Sequence, residues 1–263
     1  MSIISLSTLD LSLAALLVVL LAALSLWLQL GIARQLLVAA LRTTVQLMLI
    51  GVVLKVLFDS VNLLYMTLVA TAMLLLAGRE VMARQTHRFR GIWGFAMGTV
   101  SMFFSTFVVT LLALTIIINT DPWYTPQYAI PLLGMMLGNT MTGIALGLER
   151  LTQAAREQRR QIEARLVLGH SSAQAISGLR KNAMRLGMIP IINAMAAAGI
   201  VSLPGMMTGQ ILAGTAPLEA VKYQILIMFL ITAGTGFGTV AAVMLAGRRL
   251  FDGRARLRLD RLS

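Results

Sequence analysis

Arg42 and Gln46 stand one helical turn apart inside a long apolar run. A guanidinium beside an amide can hold an anion or a neighbouring carbonyl, and a charge at membrane depth faces a pathway or partner, or else snorkels to the interface. A second polar set, Asn139, Thr140 and Thr142 in one run with Asn193 in another, either lines a cavity or bonds neighbouring helices. A third is Ser202-Leu-Pro-Gly-Met-Met-Thr-Gly209, where Pro204 and Gly205 break a helix beside the thioethers of Met206 and Met207. Backbone carbonyls freed at such a break are ready cation ligands, and the plainer alternative is an outer turn. Met135 and Met136 make another thioether pair; thioether sulfur suits soft ions such as Cu(I), although most of the 17 methionines read as adaptable packing.

The same residues exclude several chemistries. No Asp or Glu sits deep in an apolar run, so a carboxylate-lined site for bare iron is absent, and the identity of any bound metal stays open. His87 and His170 fall in polar loops, away from where an intramembrane protease would need one, and His-Glu-x-x-His is missing. There is no Gly-x-x-x-x-Gly-Lys-[Ser/Thr] phosphate loop. The chain reads as a non-enzyme that binds no cofactor and cannot spend ATP by itself.

The elements that position these residues are membrane spans. The 263 residues are 58% hydrophobic and only 12% charged, against about a quarter charged in soluble domains, so the chain is an all-α integral membrane protein. A hydrocarbon core of about 30 Å takes about 20 apolar residues. That length predicts seven spans: Leu11–Leu30, Leu36–Leu57, Val61–Ala77, Ile92–Ile118, Ala129–Leu148, Leu186–Leu203 and Tyr223–Ala246. All but Arg42, Lys55 and Lys222 of the 22 Lys and Arg then fall on one side, predicting an N-terminus outside and a C-terminus in the cytoplasm. The net charge of +12 is thus topological, and nucleic acid is dropped as a partner in favour of the lipid membrane. Met1–Leu9 lacks the basic start of a cleavable signal, and the absence of cysteine removes disulfides.

Residues 149–185 are the one long polar stretch. Leu148, Leu151, Ala155, Ile162 and Leu166 recur at helical spacing beneath an Arg, Glu and Gln face. Gly169 supplies a helix stop, and Ser171 with Gln174 spells the capping box of a second helix carrying Ile176, Leu179 and Ala183. The spacing predicts a helix, a tight Gly-His-Ser-Ser turn and another helix, suited to dock a partner. Gly-x3-Gly pairs at Gly94/Gly98, Gly134/Gly138, Gly143/Gly147 and Gly234/Gly238 mark close helix approach, and two of them put the fifth span at the bundle centre or at a dimer contact.

Four blocks in order, Arg42-x3-Gln46 to Gly51, Ile130-Pro131-x2-Gly134-Met135-x2-Gly138-Asn139-x-Met141, Glu163-Ala164-Arg165-x3-Gly169 and Val201–Gly209, resemble the FetB family of ABC-transporter permeases. The resemblance implies a single permease domain over 1–263, with a coupling segment at 149–185 and a basic tail at 248–263. It implies an inner-membrane subunit exporting iron, with ATP hydrolysed by a separate ABC ATPase, and a permease homodimer as the economical assembly. Similar plant half-transporters are linked to UDP-glucose and aluminium tolerance, so a sugar-nucleotide permease is an alternative, as is an ATP-independent transporter or channel. By the same resemblance Arg159, Arg160, Glu163, Gly169, His170 and Ser171 serve ATPase coupling, with Arg165 replacing an alanine of the usual coupling core. Arg42, Gln46, Met135, Asn139, Asn193, Met206 and Met207 are the candidate substrate pathway.

Overall fold

The computed structural model describes residues 7–59 and 61–263, so part of Met1–Leu9, read above as lacking the start of a cleavable signal, lies outside the described residues. It forms two compact units, one of Met1–Asn62 with Leu212–Gly214, the other of Leu63–Ile211 with Thr215–Ser263.

The first unit pairs α1 (Thr8–Trp27) with α2 (Ala33–Asp59). A capping box starts α1: the Asp10 amide donates to Ser7 Oγ at 3.3 Å and the Ser7 amide donates to Asp10 Oδ2 at 2.8 Å. The turn between the helices places Gln29 and Gly31 in the left-handed region, which glycine enters without a Cβ clash. Small and hydroxylated side chains, including Ser12, Ala15, Ala40 and Thr44, line the groove between the two helices.

The second unit is built on α5 (Pro126–Glu157), which packs against α3 (Leu63–Ala83), α8 (Ser177–Ala197) and α10 (Pro217–Arg249). Pro126 opens α5 at a position whose amide would have no helical partner anyway. Thirty-two residues at about 1.5 Å each run to about 48 Å, more than the core of a bilayer, so the polar turns after Leu148 project beyond it. Between α3 and α5 in sequence lies α4 (Ile92–Ile117), apolar throughout, with π-helical stretches at Phe103–Phe107 and Ala113–Ile117.

Among the described residues, six helices are long and apolar enough to cross a membrane: α1, α2, α3, α4, α5 and α10. The chain is accordingly an all-α membrane protein, and the seventh expected span, Leu186–Leu203, is where the structure differs. Its helix α8 begins earlier, at Ser177, carries Arg180, Lys181 and Arg185, and stops at Ala197. Only twelve residues, Leu186–Ala197, form its apolar part, too few for one crossing. The chain then leaves helical geometry through Ala198–Pro204, with Gly199 at φ +82°, and resumes as the short helix α9 (Gly205–Leu212). The apolar composition carries through this region, but Gly199 and Pro204 interrupt the backbone ladder.

The expected helix–turn–helix over 149–185 is present, and its arms lead directly into α5 and α8. α5 continues to Glu157, bends at Gln158, and passes into α6 (Arg159–Val167). After the turn, α7 (Ser172–Ala175) leads through Ile176 into α8. Leu148, Leu151, Ala155, Ile162, Ile176 and Ala183 are buried, so the sequence stripe is the hairpin's inner face.

The basic tail is also a folded element. The amide of Arg90 donates to the Arg261 carbonyl at 2.8 Å, and that of Ser263 to the Arg88 carbonyl at 2.8 Å. This short antiparallel contact buries Phe89 and Leu262. Arg261 Nη1 donates to the carbonyls of Arg249 and Phe251, and Arg249 lies 4.4 Å above the Trp93 ring.

Candidate translocation and coupling sites

The junction of α5, α8 and α10 fixes the register of the second unit. A Cβ added at Gly143 would lie 2.7 Å from Thr235 Cγ2 and 3.0 Å from the Gly187 carbonyl oxygen, and one at Gly147 would lie 3.1 Å from both Thr239 and Val243. Glycine is therefore required at Gly143 for close helix approach. Gly234 and Gly238 meet Met136 and Thr140, while Gly98 meets Val81. A Cβ at Gly134 would lie 3.4 Å from Met73 Cε, whereas one at Gly138 would have nothing within 4 Å among the described residues. Thr140, Thr235 and Thr239 are buried in this junction with no hydrogen-bond partner for their hydroxyls among the described residues. Thr152, by contrast, donates to the Leu148 carbonyl at 3.0 Å, the bond a buried helical threonine ordinarily makes.

That register sets some of the candidate pathway residues at a similar level along the helices. Asn139 is exposed on α5, its Nδ2 donating to the Met135 carbonyl at 2.9 Å, and Met135 is half-buried beside it. Gly143 faces Gly187, and α8 runs antiparallel to α5, so Asn193 lies within about one turn of the level of Asn139. Asn193 is exposed too. Thr142 accepts from Arg84 Nη1 at 3.4 Å. Met206 and Met207 are half-buried on α9, directly after Pro204 and Gly205. Arg42 and Gln46 belong to the first unit, exposed on α2 and absent from the lining of the α1–α2 groove.

The break after α8 comes at depth. Arg180 reaches Met244, Met188 lies against Gly236, and the Thr232 hydroxyl donates to Met195 Sδ at 2.8 Å, so α8 runs antiparallel along α10. Ala197 consequently lies beside the middle of the 33-residue α10. The Gly199 amide donates to the Ser202 carbonyl at 2.9 Å and the Ser202 amide to the Ala197 carbonyl at 3.1 Å, recovering part of the lost ladder.

The coupling candidates occupy the hairpin and its tip. Gly169, at φ +87°, ends α6 with paired bonds: its amide donates to the Leu166 carbonyl at 3.0 Å, and that of His170 to the Arg165 carbonyl at 3.1 Å. Ser171 Oγ accepts from the Gln174 amide at 3.3 Å while Gln174 Oε1 accepts from the Ser171 amide at 2.9 Å. Arg159 pairs with Glu163 at 2.8 Å, Arg160 and His170 are exposed, and Arg165 Nη1 ties the arms together through the Ala175 carbonyl at 3.1 Å. At the tip, Val167 and Leu168 are 87% and 78% exposed. Sequence reasoning missed the struts below: the Thr86 amide donates to Glu149 Oε2 at 2.8 Å, and Arg156 Nη1 lies 3.0 Å from His87 Nδ1. No local signal announces contacts between residues so distant in the chain.

Apolar spans, a helix broken at depth and basic groups gathered at one end of the second unit define a multi-pass α-helical membrane protein. Residues 8–251 match the family described as "Uncharacterised protein family (UPF0014)", and the chain belongs to that family. A UPF0014 membrane protein of Synechocystis is 41% identical over 231 residues, 88% of either chain. The probable iron export permease protein FetB of Escherichia coli is 30% identical over 223 residues, 84% of this chain and 83% of that one. The Arabidopsis thaliana protein ALUMINUM SENSITIVE 3 is 30% identical over 239 residues, 90% and 85% respectively. No solved structure matches the chain.

Proposed function

We propose that this protein is the membrane-embedded permease subunit of an ABC transporter, exporting iron or an iron complex across the cytoplasmic membrane with energy from a separate ATPase. The observation that carries the reading is mechanical: the hairpin arms α6 and α7 join α5 and α8 through single residues, Gln158 and Ile176, so a push on the tip is delivered to the glycine-packed junction. Exposed apolar side chains at the tip, beside His170 and above the exposed Arg159 and Arg160 at the start of α6, suit a groove on another protein, where a few desolvated anchors supply most of the affinity. The relative named as an iron export permease supplies the cargo class.

Closure of two ATPases would move two such hairpins and switch the pathway from inward to outward access. Hence the homodimer, with N-termini outside and the hairpin and basic tail in the cytoplasm, as the positive-inside rule places them. The exposed Asn139 and Asn193 favour the dimer further, because an amide at membrane depth is costly against lipid and tolerable against protein or water. Arg42 and the uncharged amides favour an anionic cargo: iron leaving as a chelate, with a sugar nucleotide as the second reading.

Val167→Asp with Leu168→Asp tests the coupling. Both side chains are exposed, so the fold should persist while ATPase co-purification and ATP-driven flux fall at least tenfold. Full flux with the doubly charged tip would exclude the hairpin as the lever. Iron content of iron-loaded cells with and without the chain, the ATPase being present, separates the cargoes: unchanged iron favours the sugar nucleotide.

A further inference from the structure

The basic end of the second unit is assembled from three separate stretches: the α3–α4 loop, the end of α10 and the folded tail. Two helices apolar enough to cross a membrane terminate there, α4 beginning at Ile92 and α10 ending at Arg249. Ile92 and Trp93 are 76% and 48% exposed, and tryptophan favours the boundary between hydrocarbon and headgroups.

Arginines crowd that boundary. The Arg249 guanidinium lies 4.4 Å above the Trp93 ring, and no hydrogen bond occupies its N–H donors among the described residues. Arg90 stands opposite Arg261 in the antiparallel contact made by the tail, a pairing of like charges that is destabilising when nothing neutralises it. Arg261 is engaged with the carbonyls of Arg249 and Phe251, whereas Arg90 is exposed and forms no ion pair among the described residues. The tail's own carboxylates are already taken, Asp252 by Arg256 and Asp260 by Arg258, each at 2.8 Å.

Unanswered positive charge thus sits at headgroup level beside an exposed tryptophan. A lipid phosphodiester fits both features: its oxygens accept from guanidinium forks, and its acyl chains lie along the apolar ends of α4 and α10. A soluble anion satisfies only the first.

We propose that this corner binds one anionic phospholipid, its phosphate held between Arg249 and Arg90 and its upper acyl chain against Trp93. The phosphate offsets the opposition of Arg90 and Arg261, and so holds the tail against the α3–α4 loop. The inference rests on the chain's crossing the membrane and stands whatever the cargo.

Trp93 reports on the lipid beside it. The full chain with Trp27→Phe and Trp123→Phe is placed in phosphatidylcholine nanodiscs, and dibrominated phosphatidylglycerol or dibrominated phosphatidylcholine is introduced at matched mole fractions. The phosphatidylglycerol should reach half-maximal quenching at a mole fraction about tenfold lower or more. Arg90→Gln and Arg249→Gln should each weaken that preference about fivefold, the factor for one basic residue at an anionic surface. Only the backbone of Arg90 is bonded within the fold, so Arg90→Gln reads the site even where loss of the Trp93 contact disturbs Arg249→Gln. Arg254→Gln removes an equal charge from the exposed turn of the tail and should leave the preference unchanged. Equal quenching by the two lipids overturns the proposal, as does an Arg254→Gln loss as large as that of Arg90→Gln. Disappearance of the preference on adding inorganic phosphate at constant ionic strength would assign the arginines to a soluble anion and equally overturn it.

Discussion

Gly143 and Gly138 lie on the same helix and both belong to Gly-x3-Gly pairs, yet their surroundings differ completely. A side chain at Gly143 would run into Thr235 and the Gly187 backbone, whereas one at Gly138 meets nothing within 4 Å. Gly143→Val should therefore cost about 1–3 kcal/mol by overpacking, read as a lowered unfolding midpoint of the purified chain, while Gly138→Ala leaves the midpoint unchanged. A transport defect in Gly138→Ala without loss of stability would place that face against a second copy. At Arg42, alanine should reduce flux of an anionic complex without preventing membrane insertion. Unchanged flux would make Arg42 an interfacial anchor.

At the scale of elements, the hairpin and the tail show two ways of finishing a membrane bundle. The hairpin is specified locally, by Gly169 in the left-handed region and the Ser171 capping box, so its shape was readable from the residues. The tail looked like a run of positive charge, but Leu262 docks beside Phe89 and its aspartates organise the arginines. Asp252 is held down to about 2, first by the backbone amide of Arg256, and Asp260 to about 2 by the Arg258 guanidinium. Carboxyls lowered on folding stabilise the tail fully above their ordinary range, and that contribution fades only as pH falls through the folded value. Hydrogen-exchange protection of the Arg90 and Arg258 amides, corrected for intrinsic rate, should hold from pH 8 to about 4 and decline below. A decline already near pH 6 would show that some other group holds the tail.

For the whole molecule, the decisive question is what covers the exposed amides. The chain has no cysteine, so Asn139→Cys and Asn193→Cys each introduce a single reporter thiol. In the assembled transporter a membrane-impermeant methanethiosulfonate should label both at rates that change with ATP, while Phe237→Cys, replacing an exposed phenylalanine of α10, stays unlabelled. Asn139 and Asn193 labelling no faster than Phe237 would remove them from an aqueous pathway.

The sequence by itself determined the membrane-spanning helical class, most span positions and the capped hairpin, because hydrophobic length and end chemistry act over a few neighbouring residues. It also located the glycine pairs and the Pro204–Gly205 interruption. Tertiary structure alone decided which glycines touch a neighbour, that α8 ends beside the middle of α10, that the tail folds back on the α3–α4 loop, and that Arg249 lies over Trp93. Each of those outcomes depends on what a residue meets from a distant part of the chain, a partner that no local pattern names.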